Sequence, residues 1–559
     1  MHESGCTRSV NVRAPRTESL PFSSLPSQNK LFLDYLESPE SLKRYYPSAI
    51  SSPAELGGRV DEVLSNYPTD RAALCEALER TNKAFGATAE TLANIELLRQ
   101  ADSVAVLTGQ QTGFLTGPLY SIYKALTAIK AAECLRGQGV KAVPVFWMAT
   151  EDHDLAEVSD AYAIDGGGRL HGSAVEPYAE SDGLPVGGVK LGESIDAVIE
   201  DLFASLPKTE YSDGLHRIVS QSWRPGTGFG QAFGSMFVSL LGKYGLVIVD
   251  PLDLAIKKLA SPIYSAAITG SRVIVEALNT RTSELERAGY AAQVLVEEDY
   301  FPLFWQSDDG KRIALRRGRD GLLHAKGERK SFTEADLSAL AAEEPERLSP
   351  GVMLRPVVQD FLFPTICYFG GGAEIAYFAQ NSEVYRLLER PVTPILHRQS
   401  FTIIEARHSR TLEKYGLQFS DLFAGTSTVL PEITDRFIDP ATARVFAEAE
   451  EKINTELNRL DQTLTPIDVT LAENLATRRR KIIYHIGALR NKYQLRRIQL
   501  DEDLNRRLNS AFDSLLPNGH LQERTLNVVS FLDRYGPAFI DQVYASFDLE
   551  DKGHRLIYL

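Results

Sequence analysis

Between residues 104 and 396, short apolar runs that end in glycine or polar residues alternate with stretches whose apolar positions recur every three or four residues. The first kind reads as buried strand and the second as amphipathic helix. Strands are predicted at 104–107, 143–149, 245–249, 364–369 and 392–396, and helices at 60–64, 72–78, 88–100, 229–244, 254–288 and from 373 onward. Between the first two strands, Leu119, Ile122, Tyr123, Leu126 and Ile129 form one helical stripe that ends near Gly137-Gln138-Gly139. Pro118 suits the first helical position, where its missing N–H has no intrahelical partner, and Thr116 or Gly117 would then be the cap. A strand, a helix and a strand of these lengths imply a right-handed parallel crossover. The expected core is therefore an α/β fold with a parallel sheet.

Two blocks interrupt this pattern. Residues 161–209 are Gly-rich with weak strand signals. Further on, 293–297 and 301–305 read as strands, 312–316 and 322–326 as a hairpin around Arg319-Asp320-Gly321, and 332–342 as a short helix. Beyond residue 441 the spacing changes. Ile482, Ile486, Leu489, Tyr493, Arg496 and Leu500 alternate steps of four and three, which is a heptad seam, and Leu504 and Leu508 carry it on. Ile453, Leu457, Leu460 and Leu464 form an earlier arm, with Thr465-Pro466 between the two. As one helix, 471–512 would be roughly 60 Å long at 1.5 Å per residue, so the arm should project and seek a partner. The expected organisation is a disordered Ser-, Pro- and Arg-rich tail (1–28), core (29–160), a first inserted segment (161–228), core (229–292), a second inserted segment (293–350) and core (351–436). A coiled-coil arm (437–516) and a helical tail packing back on the core (517–559) complete it.

Composition narrows the function classes. At 559 residues the chain is long enough for several domains, and 43% apolar with 24% charged residues is ordinary for a soluble protein. No apolar run approaches a membrane span and the first residues lack an apolar signal core, so the cytoplasm is expected and a membrane partner is not. A net charge of −14 opposes binding to nucleic acid. Cys6, Cys75, Cys134 and Cys367 lie far apart without C-x-x-C spacing, so no zinc site is expected.

The candidate chemistry gathers at strand ends, where open α/β sheets bind ligands. Gln110, Gln111, Thr112, Gly113, Thr116 and Gly117 follow the first strand. With the helix start behind them, they suit a carboxylate or phosphate. A simple capped turn is the plain alternative. Tyr120 and Lys124 lie one and two turns into that helix. No Lys-Ser/Thr follows and G-x-G-x-x-G is absent, so the loop is neither a Walker A nor a dinucleotide fingerprint. The second strand carries Trp147 and ends in Glu151-Asp152-His153-Asp154. These residues suit acid–base work or, with a phosphate-bearing substrate, a Mg²⁺ ion; a solvated loop is the alternative. Arg355, with Pro356 disfavouring helix at its position, reads as a loop-borne clamp for a carboxylate near Gln359 and Asp360. A buried Arg355–Asp360 pair is the competing reading. Gly370-Gly371-Gly372 with Glu374, Tyr377 and Gln380 forms a second candidate wall. The basic run Arg478-Arg479-Arg480-Lys481 reads as a solvated coiled-coil flank or, less simply, as a tRNA contact.

Taken in order, Thr108-Gly109-Gln110-Gln111, Gly117-Pro118-Leu119-Tyr120, Phe146-Trp147 and Glu151-Asp152-His153-Asp154 resemble the bacillithiol synthase (cysteine ligase) family. So do Tyr244-Gly245-Leu246 with Asp250-Pro251, Leu354 to Asp360, Glu374-Ile375-Ala376-Tyr377 and Leu521-Gln522-Glu523-Arg524. The resemblance covers nearly the whole chain from about residue 20; Gly370-Gly371-Gly372 departs from it where a proline is expected. It implies a Rossmann-like core, akin to class I nucleotidyl transferases, with two inserted connecting segments, and a long antiparallel coiled coil that makes a homodimer. It also implies an adenine-nucleotide pocket near that coiled coil, apart from the core crevice. The implied reaction joins the carboxyl group of cysteine to the amine of glucosaminyl-malate, giving bacillithiol.

An amide does not form from a free carboxylate without activation, so an acyl-adenylate or acyl-phosphate, with ATP as donor, is expected. The 104–124 segment would hold an anion, Arg355 would neutralise a carboxylate, and His153 or an adjacent aspartate would take the proton of the attacking amine. Two other readings stay open: a non-catalytic nucleotide-binding coiled-coil dimer acting as sensor or scaffold, and a synthetase-like enzyme acting on tRNA.

Overall fold

The computed structural model describes residues 15–50, 52–176, 181–437, 440–500 and 502–559. It divides into two units, Met1–Ile403 with Leu521–Leu559, and Ile404–His520.

The first unit is built on a five-stranded, all-parallel sheet in the order Ile395–His397, Thr365–Gly370, Ser103–Gln110, Lys141–Met148, Val247–Val249. Its central strands are buried on both faces, as the unbroken apolar runs foretell. The chain leaves the Ser103 strand in one direction towards 141 and 247, then returns to lay 365 and 395 on the other side. That reversal is a topological switch point, and it opens a crevice between the Ser103 and Thr365 strands at their carboxyl ends. The helix Leu119–Gly137 packs on the first two strands and is buried over most of its circumference.

The segment 293–350 forms a separate antiparallel sheet in the order Ser331–Phe332, Leu323–Ala325, Arg312–Arg317, Tyr300–Gln306, Leu348–Pro350. Residues 293–297 are not a strand. Gln380 takes the place of a neighbouring strand: its side-chain amide accepts from Gln293 N (3.0 Å) and Val294 N (2.9 Å) and donates to Val294 O (2.9 Å). A third sheet orders Arg16–Leu20, His554–Tyr558 and Ser400–Ile404. The predicted disordered tail therefore fails from Arg16 onward, because this segment is paired along its length with the last strand of the chain; residues 1–14 lie outside the described residues. The 161–228 segment holds the helix Ser194–Ser205, which the Gly-rich reading of 161–209 missed, and the helix Ser212–Ser222 just beyond it. The tail after 517 is helical, as expected, and adds the strand His554–Tyr558.

In the second unit, Pro440–Leu464 and Val469–Leu500 form an antiparallel helical hairpin. Arg479 donates to Asn454 (3.0 Å) and Asn458 (2.9 Å), and Phe446 meets Tyr493 with ring centroids 6.0 Å apart. Pro466 lies in the turn between the helices. A further helix runs Glu502–Leu515; the expected continuity of 471–512 falls on residue 501, outside the described residues. Leu457 is buried, whereas Leu460, Ile482 and Leu489 of the predicted seam are exposed. No described helix is long and apolar enough to cross a membrane.

Candidate functional site

The switch point opens into a cleft of about 610 Å³. Of the residues expected from the sequence, it is lined by Gln110, Gln111, Tyr120, Lys124, Trp147, Glu151, Asp152, His153, Arg355, Gly371, Glu374 and Tyr377. The two glycine-bearing strand ends therefore do face one another. Gly109 is required there because a Cβ would stand 2.7 Å from the Trp147 carbonyl oxygen.

Thr112, Gly113, Thr116 and Gly117 do not line the cleft. They form a turn in which Leu115, Thr116 and Gly117 all have positive φ (52°, 79° and 70°). The two non-glycine residues cost about 1–3 kcal/mol each. Asn527 pins the turn by donating to Leu115 O (2.8 Å) and Gly117 O (2.7 Å), and Leu119 N donates to Leu526 O (2.9 Å). The chain's own C-terminal segment thus closes the helix start that was expected to hold an anion. Pro118 is the cap rather than the first helical residue.

Lys124 is also not free for a ligand. Its ammonium group donates to Gly109 O (2.8 Å) and Gln110 Oε1 (2.9 Å) and pairs with Glu374, which exhausts its three hydrogens. Glu374 in turn accepts from Tyr368 OH (2.6 Å) and Gly371 N (2.7 Å). Burial lowers the Lys124 amine to about 8, with Glu374 opposing the fall. Burial would raise the Glu374 carboxyl, but Lys124 outweighs it and holds that group below its usual range. In the unfolded chain a lysine titrates near 10.4. Between pH 8 and about 10.4 the unfolded state therefore holds a proton that folded Lys124 has lost, so this residue makes stability rise with pH across that window. Lys124→Met is expected to flatten the rise, read from urea denaturation midpoints at pH 8 and pH 9.5.

Arg355 opens the helix Arg355–Leu362 rather than sitting in a loop. Pro356 is tolerated because the first-turn N–H it lacks would have no partner. The guanidinium donates to Gln359 Oε1 (3.1 Å) and Tyr377 OH (3.1 Å) and lies 5.5 Å from the Tyr368 ring. All of these partners are neutral. Burial opposes its charge, but the surrounding tyrosines and Glu374 keep it firmly protonated. The buried Arg355–Asp360 pair is absent: Gln359 stands between them, donating to Asp360 Oδ1 (3.0 Å), and Asp360 receives the Tyr385 hydroxyl. Gln359, Asp360 and Gln380 support the wall and do not line the cleft.

The second strand end is drawn into polar contacts. Glu151 pairs with buried Lys257. Asp152 accepts from Gln111 (2.9 Å) and from His153 N (2.8 Å). Asp154 turns away and accepts from Glu157 N (3.2 Å). Arg312, from the antiparallel sheet, stacks 3.6 Å over the Phe304 ring and donates to His153 Nδ1 (3.2 Å), Ser349 (2.9 Å) and Pro350 O (3.0 Å). Burial, then Arg312, hold the His153 ring below its usual pKa. An arginine can only donate, so His153 Nδ1 accepts and Nε2 carries the hydrogen.

The sequence reading missed Tyr300, Phe304, Arg312, Pro350, Gly351, Val352, Tyr368, Arg398 and Arg524 as part of the cleft. Among the described residues, no group of three or more His, Cys, Asp or Glu side chains is arranged to hold a metal ion. Cys75 and Cys367 are buried and Cys134 partly so.

Two family models account for the chain. Residues 17–399 match "Bacillithiol biosynthesis BshC, N-terminal Rossmann-like domain" and residues 401–559 match "Bacillithiol biosynthesis BshC, C-terminal coiled-coil domain". The chain belongs to the BshC family. Among curated relatives, a protein of Koribacter versatilis is 34% identical over 94% of this chain and 96% of its own length. One from Salinibacter ruber is 32% identical over 97% and 98%, and one from Solibacter usitatus 32% over 96% and 98%. All three carry the name "Putative cysteine ligase BshC". The second BshC model extends to residue 559, whereas in the structure Leu521–Leu559 belongs to the sheet-bearing unit and supplies Arg524 to the cleft.

Proposed function

We propose that this protein is a carbon–nitrogen ligase that joins the carboxyl group of cysteine to the amine of glucosaminyl-malate, completing bacillithiol in the cytoplasm. Membership of the BshC family carries this reading and favours it over a scaffold or a tRNA-directed enzyme. The cleft agrees with it chemically. Both substrates are carboxylates, and an acidic chain here gathers Arg312, Arg355, Arg398 and Arg524 around one cavity.

ATP fits the same residues. Among the described residues Arg355 hydrogen-bonds to neutral groups, and Gly372 and Ala373, at the start of a helix, line the cleft. When bound, ATP would supply the leaving group that a carboxylate lacks. Arg355 then holds the oxygen on which negative charge grows. The C–N bond forms as the amine loses a proton and the former carboxylate oxygen departs with phosphate. Asp152 is the base best placed for that proton, because it is part-exposed in the cleft, where Gln111 and the His153 amide hold its carboxylate in position. His153 is a donor rather than a base, since its one unoccupied nitrogen carries a hydrogen. His153→Gln, which keeps a donor near Nε2, is therefore expected to retain several-fold more activity than His153→Ala in steady-state assays. Equal losses would return the base role to His153. A Mg²⁺ ion accompanying ATP would be held by Asp152 and would supply positive charge to the phosphate groups.

A homodimer through the helical hairpin is part of the proposal. It is supported by Val445, Ile467, Tyr484 and Leu489, each more than 60% exposed. In the cell, deleting the gene is expected to abolish bacillithiol while glucosaminyl-malate accumulates. Unchanged bacillithiol would refute the assignment.

A further inference from the structure

Arg398 projects into the cleft from just beyond the strand Ile395–His397, and its guanidinium is held by a chain of hydrogen bonds with defined direction. Glu523 accepts from Arg398 Nη2 (2.7 Å) and Nη1 (2.9 Å), and Gln399 O takes the other Nη1 hydrogen (3.0 Å). Glu523 also accepts from Ser400 Oγ (2.8 Å) and Phe401 N (3.2 Å). Burial would raise this carboxyl, but Arg398 overrides it and holds it at about 2. Because Ser400 gives its hydrogen to Glu523, it must accept from His554 Nδ1 (2.7 Å), which leaves His554 Nε2 to accept from Thr402 (2.8 Å). A neutral His554 satisfies both contacts, and burial keeps its pKa near 4. The last strand of the chain thus sets the orientation of a cation in the cleft.

Three of the five donor hydrogens of Arg398 are used. The Nε–H and the second Nη2 hydrogen lie along the remaining edge of the guanidinium and meet no acceptor among the described residues. That edge lies beside the Gly371 turn, where an added Cβ would be 4.0 Å from Nε, and the guanidinium carbon is 5.6 Å from the Tyr120 ring. Two parallel N–H groups on a fixed plane match the two oxygens of a carboxylate.

We infer that this edge of Arg398 binds a carboxylate of the malate moiety of the amine substrate, and that Ser400 and His554 are positioning residues acting through Glu523. The inference rests on the ligase reading above. Paired with Glu523, Arg398 contributes direction more than net charge, which suits an anion that does not change in the reaction. Arg355, with neutral partners, suits the reacting carboxylate.

The test is steady-state kinetics of the full-length protein and its Arg398→Lys and Ser400→Ala variants. Lysine keeps the charge facing Glu523 but loses the second edge. Arg398→Lys is expected to raise KM for glucosaminyl-malate about thirtyfold. Ser400→Ala, the milder change should the first variant not fold, is expected to raise it about threefold. KM for cysteine and for ATP should stay within about twofold, and kcat within about threefold. Free L-malate should compete with glucosaminyl-malate in the wild type and lose that effect in Arg398→Lys. A matching rise in KM for cysteine or for ATP would place the cysteine carboxylate or a phosphate on this edge and overturn the inference, as would unchanged constants in both variants. A wild-type protein that forms no amide would instead remove the ligase reading itself.

Discussion

Arg355→Ala is expected to lower kcat/KM by about 10²–10³ while leaving the fold intact. The size follows from the loss of a preorganised donor aimed at developing charge, worth about 3–4 kcal/mol in a water-poor site. The second half follows from its partners. Gln359 and Tyr377 are neutral, and both keep acceptable roles without the guanidinium, because Gln359 still donates to Asp360 and Tyr377 lines an open cleft. No buried counter-charge is stranded. The expected destabilisation is therefore about 1–3 kcal/mol, the scale of hydrogen bonds from a charged donor. Kinetics and urea denaturation on the same preparation separate the two effects. A variant that retains activity within a few-fold contradicts the role, and one that unfolds makes Arg355 structural.

Glu374→Ala is expected to do the reverse, costing about 3–5 kcal/mol of stability. It removes the carboxylate paired with Lys124, whose side chain is 3% exposed, and takes acceptors from Tyr368 OH and Gly371 N. The pair ties the end of the Ser103 strand to the first turn of the Gly372 helix across the switch point, so the cleft wall itself should loosen. Replacing both residues by apolar ones of similar volume, Lys124→Met with Glu374→Leu, should recover much of the loss, because the penalty comes from the unpaired buried charge. The denaturation midpoints of Lys124→Met, Glu374→Leu and the double form a cycle. A single-mutant loss below about 1 kcal/mol would show that the buried charge relaxes to solvent.

The parallel core was legible in the chain because strands buried on both faces are almost continuously apolar, as at 104–107 and 366–369. The inserted hairpin was legible through Arg319-Asp320-Gly321. The strand predicted at 293–297 failed for a local reason: its pairing partner is the side chain of Gln380, which no periodicity reveals. The same holds for the site. Gln110, Glu151, Asp152 and His153 stand at the ends of recognisable strands, so the switch-point rule places them in the cleft. Arg398 and Arg312 arrive from a strand terminus and from a separate sheet, carrying no motif of their own. Arg524 arrives from the C-terminal segment, and the Leu521-Gln522-Glu523-Arg524 motif that marked the family gave no hint of where it would fold. Lys124 and the Thr112–Gly117 turn show the converse. They carry residue types suited to anions, yet Lys124 is taken up by Glu374, Gly109 and Gln110, Asn527 donates to the carbonyls of the turn, and Leu526 takes the Leu119 amide behind it, contacts decided by the tertiary fold alone.

The account stands on amide formation in this cleft, and the product mass is its most direct test. Purified protein given cysteine, glucosaminyl-malate and ATP is expected to yield the amide with its thiol still free, and the Arg355→Ala protein, folded to the same extent, is expected to yield almost none. Absence of the amide from the wild type, or equal yields from both proteins, would contradict it.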